Sequence, residues 1–251
     1  ETIEAAETLS FGEEKGGSFC EIKESPETPF ILEDNKGCSY IVPAGQQLRI
    51  SAGMQDSFSP IDRSPTKGRF AKALLSHGFI PEHAAYQYTL CINTDYQAAE
   101  AVAADPPYRI LRADNRAHIV ENKKTGCIYY ALFEAVRDER PSSLFLGCSK
   151  PLLLLIQLSE DQKTATLRLC DPDLRLYEGI DPEQYDTQGR RKELSIYSRP
   201  WRNHPSRPAE ATLLIRGLWD TTDCTAEHEE DATRLSIVLQ DALNYEIRLE
   251  R

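Results

Sequence analysis

The sequence predicts an all-β protein built from antiparallel β-sandwiches, with one short helix. Runs rich in Val, Ile, Leu and Tyr recur along the 251 residues and are separated by turn residues. Several runs alternate apolar and polar side chains, which is typical of strands with one buried and one wet face. In segment 164–170, for example, Leu167 and Leu169 alternate with Thr166 and Arg168.

The order of these runs predicts the strands and the helix. We predict strands at 39–42, 47–52, 86–93, 108–112, 117–122, 127–133, 152–158, 164–170, 192–197, 211–218, 234–240 and 245–250. The Ala-rich segment 96–105 predicts a helix, because Asp95 is a plausible N-cap and Pro106 with Pro107 would end it. This helix separates two groups of strands and therefore predicts a domain boundary.

Charge and hydropathy exclude two classes of partner. The net charge is −11, and an acidic chain repels nucleic acid and anionic membranes. The longest apolar run, 152–156, is far shorter than the roughly 18 residues that a membrane-spanning helix needs. A site for a polyanion would have to be a local basic patch.

Because the sequence begins at Glu1 and not at Met, we expect that a segment preceded it.

The cysteines do not form a metal or redox motif. They stand at positions 20, 38, 91, 127, 148, 170 and 224, and no Cys-x-x-Cys pair occurs. Cys91, Cys127 and Cys170 lie in apolar runs, where we interpret them as small buried hydrophobic side chains. The odd number of cysteines leaves at least one thiol unpaired or paired between chains.

The segment 178–210 carries the candidate substrate-binding residues. It contains several X-Pro pairs and many arginines, and it predicts a long irregular excursion. Tyr197, Arg199, Trp201 and Arg202 combine cations, which bind sulfate and carboxylate, with aromatic rings that stack on sugars. The alternative is a loop tethered to the sandwich by Trp201, with its arginines offsetting nearby acids.

Two pairs of carboxylates lie beside prolines, at Asp171/Asp173 and Asp181/Glu183. Asp before Pro initiates turns, so turn formation is the main interpretation. A surface calcium site is the alternative, although the sequence has no EF-hand loop. No other metal or cofactor is predicted.

Five segments in a fixed order carry a resemblance to a known family. Segment 34–45 reads Asp-Asn-Lys-Gly-Cys-Ser-Tyr-Ile-Val-Pro-Ala-Gly, and segment 77–88 reads His-Gly-Phe-Ile-Pro-Glu-His-Ala-Ala-Tyr-Gln-Tyr. Segments 108–120, 125–135 and 150–177 follow. Together they resemble polysaccharide lyase family 8, of the chondroitin sulfate ABC lyase type.

The resemblance implies the domains and the function. Such enzymes combine an α/α-toroid, a large central β-sandwich and a smaller C-terminal β-sandwich. Residues 1–97 would then be the last part of the central sandwich and 98–251 the C-terminal sandwich. The family cleaves chondroitin and dermatan sulfate by β-elimination with residues that lie upstream, so no catalytic residue is assigned here and this chain alone is expected to be inactive.

The resemblance also implies partners and location. The partners are the rest of the lyase and its glycosaminoglycan substrate, and the location is periplasmic or extracellular. The alternative to a lyase portion is a stand-alone carbohydrate-binding β module.

Three residues of segment 77–88 each allow a functional and a structural interpretation. His77 could act as a base beside two tyrosines, but we favour a structural turn in which Gly78 supplies a positive φ. Tyr86 and Tyr88 share one face of a strand, and we favour core or interface packing over sugar stacking.

Overall fold

The computed structural model describes residues 9–10, 19–24, 27–34, 36–138, 143–173, 187–189 and 208–251. These residues form eighteen strands and one helix. The chain divides into two compact units, Glu1–Pro106 and Pro107–Arg251. The predicted all-β class with one short helix is confirmed. No helix in the described part of the chain is long and apolar enough to cross a membrane.

The first unit contains two small sheets. Its strands are β1 (Leu9–Ser10), β2 (Phe19–Glu24), β3 (Phe30–Glu33), β4 (Cys38–Val42), β5 (Gln47–Phe58), β6 (Pro65–Ser76) and β7 (Thr89–Ile92). One sheet has the order β1-β3-β4-β7 and the other β2-β5-β6. All pairs are antiparallel except β1 with β3, which is parallel.

Strands β3 and β4 are buried on both faces of their sheet. One face contributes Leu32 and Val42 to a cluster with Leu48 and Ile50 of β5. The opposite face contributes Ile31 and Ile41, which pack against the helix α1 (Tyr96–Ala104) through Ala99. Burial on both faces explains why these strands are nearly continuous apolar runs.

The helix begins and ends close to the predicted positions. The Asp95 carboxylate accepts a hydrogen bond from the N–H of Ala98 at 2.8 Å, as an N-cap does. The helix ends at Ala104, one residue before the predicted end. It belongs to the first compact unit, and the predicted boundary after residue 97 lies within it. The family roles of the two predicted domains stay predictions.

The second unit is a β-sandwich. Its strands are β8 (Tyr108–Ala113), β9 (Ala117–Asn122), β10 (Ile128–Leu132), β11 (Val136–Arg137), β12 (Phe145–Cys148), β13 (Leu152–Leu158), β14 (Thr164–Cys170), β15 (Ala209–Arg216), β16 (Thr225–His228), β17 (Ala232–Leu239) and β18 (Tyr245–Glu250). One sheet has the order β18-β14-β13-β10-β9-β8 and the other β11-β12-β15-β17-β16.

The core of the second unit lies between these two sheets. Leu167 and Leu169 are buried, whereas Arg168 between them is exposed, so the predicted alternation is confirmed. Trp219, which precedes β16, is fully buried. Its indole N–H donates to the carbonyl of Arg216 at 2.7 Å, which satisfies the polar atom of this core side chain.

The predicted strands agree with the structure except at a few places. Strands 117–122, 152–158, 164–170 and 245–250 have the predicted bounds. Strand β5 continues six residues beyond its predicted end. Seven strands of the structure were not predicted, namely β1, β2, β3, β6, β11, β12 and β16. The predicted strand 86–93 is shorter, at Thr89–Ile92. The predicted strand 192–197 lies outside the described residues.

Candidate functional site

The predicted substrate-binding residues lie outside the described part of the chain. Tyr197, Arg199, Trp201 and Arg202 fall within 190–207, which the structure does not describe. The described neighbours locate the connection that contains them. This connection follows Cys170, at the end of β14 in one sheet, and precedes Ala209, at the start of β15 in the other sheet. It therefore links the two sheets of the sandwich.

A buried ion pair lies at the start of the connection between β14 and β15. The Lys150 ammonium group donates to the Asp171 carboxylate, and the two side chains are 13% and 3% exposed. The other Asp171 oxygen accepts from the N–H of Asp173 at 3.0 Å, which confirms the predicted turn. Because Asp171 is buried against a lysine, it is not a surface ligand for calcium. Asp181 and Glu183 lie outside the described residues.

Arginines of the second unit pair with carboxylates. The pairs are Arg109–Glu121, Arg112–Asp114, Arg116–Glu134, Arg168–Glu246, Arg234–Glu229 and Arg248–Glu246. Each guanidinium already has an anionic partner, so these six arginines do not form a basic patch for a sulfated chain.

The first unit has a different distribution of charge. Strands β5 and β6 form one long hairpin, residues 47–76, paired along its whole length from Gln47↔Ser76 to Phe58↔Pro65. Its sequence contains five cations and two carboxylates, in a chain with a net charge of −11. The sequence of the hairpin therefore carries an excess of positive charge, of which Lys67 pairs with Asp56. Sequence reasoning missed it, although the charge count of this segment gives the signal.

The two faces of the hairpin differ. The inner face carries Leu48, Ile50, Met54, Asp56 and Phe58 of β5, with their partners Leu75, Ala73, Arg69, Lys67 and Pro65 of β6. The outer face carries Arg49, Ser51 and Gln55, with Phe70, Lys72 and Leu74 of β6.

Only the first half of the inner face is covered. Leu48 and Ile50 are buried against the neighbouring sheet. Farther along the same face, Met54 is 65% and Phe58 is 63% exposed. The far half of the hairpin therefore leaves apolar side chains uncovered within this chain, and β6 forms the edge of its sheet.

Segment 77–88 presents a row of exposed rings. The ring centres of His77 and Tyr86 are 6.0 Å apart, and those of Tyr86 and Tyr88 are 6.5 Å apart with nearly parallel planes. Tyr86 is 66% and Tyr88 is 52% exposed, so the expected core packing is not found in this chain. Packing at an interface and sugar stacking both stay open. Gly78 has a φ of +74°, as predicted.

A side-chain amide holds this row in place. The Gln46 amide donates to the carbonyl of Gln87 at 2.8 Å and accepts from its N–H at 3.0 Å. The Gln46 side chain thereby makes the two backbone hydrogen bonds to Gln87 that a neighbouring strand would otherwise make. Its two hydrogen bonds keep Tyr86 and Tyr88 on one side of the segment, although this stretch lies before β7.

The described cysteines show no reactive centre. Cys38, Cys91, Cys127, Cys148, Cys170 and Cys224 are free thiols. Cys127 is buried, as predicted, whereas Cys91 and Cys170 are only partly buried. Burial raises the pKa of Cys224 to about 11, with Asp223 adding to the shift. Among the residues that the structure describes, no group of three His, Cys, Asp or Glu side chains is placed to hold a metal ion.

Comparison with known proteins gives clear relatives, although no family model matches the chain. The chain is 30% identical over 230 residues, 88% of its length, to the chondroitin sulfate ABC exolyase of Bacteroides thetaiotaomicron. It is 31% identical over 191 residues, 76% of its length, to the chondroitin sulfate ABC exolyase of Proteus vulgaris. The matches cover 22% and 18% of these relatives, so the chain spans about a fifth of their length.

Solved structures share the fold. The chondroitin AC lyase of Streptomyces coelicolor in complex with chondroitin sulphate matches with a TM-score of 0.56 and 14% identity, over 93% of this chain and 29% of that chain. A xanthan lyase of Paenibacillus matches with a TM-score of 0.51 and 12% identity, over 93% of this chain and 23% of that chain. The fold is therefore the β-rich part of a polysaccharide lyase fold.

The sequence similarity makes the assignment more specific. The chain belongs to the family of the chondroitin sulfate ABC lyases and corresponds to one part of their length. The resemblance in the ordered segments between 34 and 177 is confirmed.

Proposed function

We propose that this chain is the C-terminal β portion of a polysaccharide lyase of family 8, which cleaves chondroitin or dermatan sulfate by β-elimination. The observation that carries the proposal is the 30% identity to a chondroitin sulfate ABC exolyase over 88% of the chain, with only 22% of that enzyme covered. The catalytic residues lie in the part of the lyase that this chain does not match.

The chemistry of β-elimination supports the placement of the catalytic residues outside this chain. The reaction removes the proton at C5 of the uronic acid while the charge on its carboxylate is neutralised. It therefore requires a base beside a cation or a hydrogen-bond donor. In the second unit, the six arginines named above are engaged by carboxylates and are poorly suited to bind a uronate.

The uncovered inner face of the hairpin supports a structural role for the first unit. Met54 and Phe58 extend past the sheet that buries Leu48 and Ile50. Burying such side chains contributes roughly 1.5–3 kcal/mol each. The rest of the lyase would cover this inner face, and the first unit would complete the larger β-sandwich of the enzyme.

A direct assay tests the proposal. The full-length natural protein that contains this chain is incubated with chondroitin sulfate and with dermatan sulfate, and the unsaturated uronate product is measured by its ultraviolet absorbance. We expect product from one or both polymers. Hydrolysis without an unsaturated product, or no cleavage of either polymer, would refute the proposal.

A stand-alone carbohydrate-binding module is the alternative function. The observation that favours it is the exposed ring row of His77, Tyr86 and Tyr88, held by Gln46. The isolated chain would then bind a glycan by itself, and Tyr86→Ala with Tyr88→Ala would abolish that binding. The same loss on Trp201→Ala would instead identify the excursion as the binding surface.

The location follows from the proposed substrate. Polymeric glycosaminoglycans are met outside the cytoplasm, so the enzyme would be periplasmic or extracellular. Fractionation of the source cells, with detection of the full-length protein by antibody, tests this. Detection in the cytoplasm alone would contradict it.

A further inference from the structure

We propose that the open edge of β7 pairs with an extended segment of the full-length enzyme that lies outside this chain. This inference rests on the proposed function and names a surface through which the first unit joins the rest of the protein. The surface consists of the β7 backbone and a row of exposed side chains, Tyr86, Tyr88, Leu90 and Ile92.

The backbone of β7 pairs with β4 through alternate residues only. The N–H of Asp34 donates to the carbonyl of Cys38 at 2.9 Å, so the backbone of Cys38 faces β3. Successive residues of a strand direct these groups to opposite sides, and the backbone of Ser39 therefore faces β7. Ser39 lies opposite Cys91, so Cys91 makes the backbone hydrogen bonds to β4. The N–H and the carbonyl of Leu90 consequently point away from β4.

The side of β7 that Leu90 faces is the end of the sheet. The order of that sheet is β1-β3-β4-β7, and no other strand in the described part of the chain pairs with β7. The Ile92 carbonyl accepts from the Thr94 hydroxyl at 3.1 Å. The N–H and carbonyl of Leu90 and the N–H of Ile92 are therefore available to a further strand, which such an edge accepts through main-chain hydrogen bonds.

The sequence of this edge lacks the usual protection against pairing. Segment 84–94 contains no charged residue and no proline, although 27% of the chain is charged. Strands β6, β8 and β18 also end sheets, and each contains at least two charged residues. Charged residues and prolines keep free edges from pairing. Their absence at β7 indicates an edge that is covered in the full-length protein.

The exposed row continues the inner face of the first unit. Leu90 lies opposite Tyr40, and Tyr40 packs against the buried cluster that contains Leu48. Beyond that cluster, Tyr88 is 52%, Leu90 is 45% and Ile92 is 74% exposed. A strand added beside β7 would place its own alternate side chains next to this row and bury it.

The length of the relatives indicates what covers the edge. The matches cover 22% and 18% of the two exolyases, so most of such an enzyme lies outside this chain. The partner is an extended, uncharged segment of that part, with apolar residues at alternate positions facing Tyr88 and Leu90. A sulfated glycan fits poorly, because segment 84–94 offers it no cation and a sugar cannot form a ladder of main-chain hydrogen bonds.

Hydrogen exchange in the full-length natural protein tests the pairing. Single amides are followed by mass spectrometry with residue-resolving fragmentation. The Cys91 N–H faces β4 and is the internal control for the Leu90 N–H, which faces the open edge. We expect both amides to exchange slowly in the full-length protein. In the dilute isolated chain, Leu90 should exchange faster by on the order of a hundredfold, with Cys91 still protected.

Three results of the exchange experiment would overturn the inference. The first is fast exchange of Leu90 in the full-length protein. The second is protection of Leu90 that appears only after chondroitin sulfate oligosaccharides are added, because a sugar would then cover the edge. The third is protection in the isolated chain that rises with its concentration to the level of the full-length protein, because a second copy would then be the partner.

Two variants of the full-length protein give a second measurement. Ile92→Lys places a cation on the row, and Val238→Lys places one on β17 of the second unit. The two positions are matched, since Ile92 is 74% and Val238 is 60% exposed in this chain. Ile92→Lys should lower the unfolding temperature by several degrees, because the cation would be buried, whereas Val238→Lys should leave it unchanged. Equal effects of the two variants would contradict the inference.

The readouts separate this inference from the proposed function. If the full-length protein forms no unsaturated product, the lyase proposal fails, whereas the exchange of Leu90 still decides whether the edge is paired. If the protein is an active lyase and Leu90 exchanges fast in it, the inference alone fails.

Discussion

Lys150 and Asp171 form a buried ion pair at the start of the connection between β14 and β15, which links the two sheets of the second unit. The Lys150 side chain is 13% exposed and the Asp171 side chain is 3% exposed. Asp171→Asn leaves the Lys150 ammonium group without its anion in a largely dry site. We expect a loss of about 3 kcal/mol in the free energy of unfolding, measured by urea denaturation.

The control for that prediction is an exposed pair of the same unit. Arg109→Ala removes the partner of Glu121, and the Arg109 side chain is 64% exposed. Its cost should be below about 1 kcal/mol, because water screens exposed pairs. Equal costs for Asp171→Asn and Arg109→Ala would contradict the structural importance of the buried pair.

Asp114 should titrate at unusually low pH. Its carboxylate accepts from Arg112 at 2.7 Å and from the N–H groups of Arg116 and Ala117, and these bonds lower its pKa from 3.8 to about 2. Stability from a lowered pKa is complete above the ordinary value and is lost as the pH falls through about 2. Carbon-detected NMR of the carboxyl group measures the midpoint.

A variant gives the control for Asp114. Arg112→Gln removes the largest cause of the shift, so the midpoint should rise toward 3.8. A midpoint near 3.8 in the unaltered protein would show that Arg112 and the two N–H groups do not hold the carboxylate.

The Cys224 thiol should react slowly. Burial in the second unit raises its pKa to about 11, and the neighbouring Asp223 adds to the effect. Since the thiolate is the reactive form, alkylation at pH 8 should be slower by roughly a hundredfold than in the urea-unfolded chain. Mass spectrometry of iodoacetamide-treated protein measures the rate at this residue. Similar rates in the folded and unfolded chains would refute the prediction.

The isolated chain should self-associate through the inner face of the hairpin. Met54 is 65% and Phe58 is 63% exposed, and both adjoin an open sheet edge. Met54→Ser with Phe58→Ser should shift the chain toward monomer in sedimentation velocity. Val238→Ser with Leu243→Ser, which removes exposed apolar side chains from the second unit, should not. A sharp monomer peak for the unaltered chain would contradict this prediction.

The alternation of apolar and polar side chains predicted most strands of the second unit. Strand 164–170 has Leu167 and Leu169 facing the sandwich core and Arg168 facing water, so its period of two is readable from the sequence. Trp219 was missed as a core residue, because it lies between strands where no period marks it.

The hairpin of the first unit was harder to predict. Strand β6 contains Gly68 and several Lys and Ala residues, which have low strand propensity, and its side chains are largely exposed. The alternation that marks a buried face is therefore weak there. Similarly, Tyr86 and Tyr88 have strand-like spacing, but a Gln46 side chain takes the place of a strand beside them. A side-chain contact across 41 positions is invisible to local patterns.

The sequence predicted the type of the candidate site but not its position in the chain. A polyanion site was expected to require a local basic patch, and the hairpin has an excess of cations in its sequence. The sequence instead predicts substrate contact at Arg199 and Arg202, which stand beside aromatic residues and lie outside the described part of the chain. Which charges share a face at 47–76 depends on the pairing of β5 with β6, and the second of these strands was not predicted.

The most direct test of the central claim is an elimination assay on this chain alone. The isolated 251-residue chain is incubated with chondroitin sulfate, and the unsaturated uronate product is followed by its ultraviolet absorbance, with the full-length natural protein as the positive control. We predict product from the full-length protein and none from the chain. Sustained product formation by the isolated chain would contradict the account.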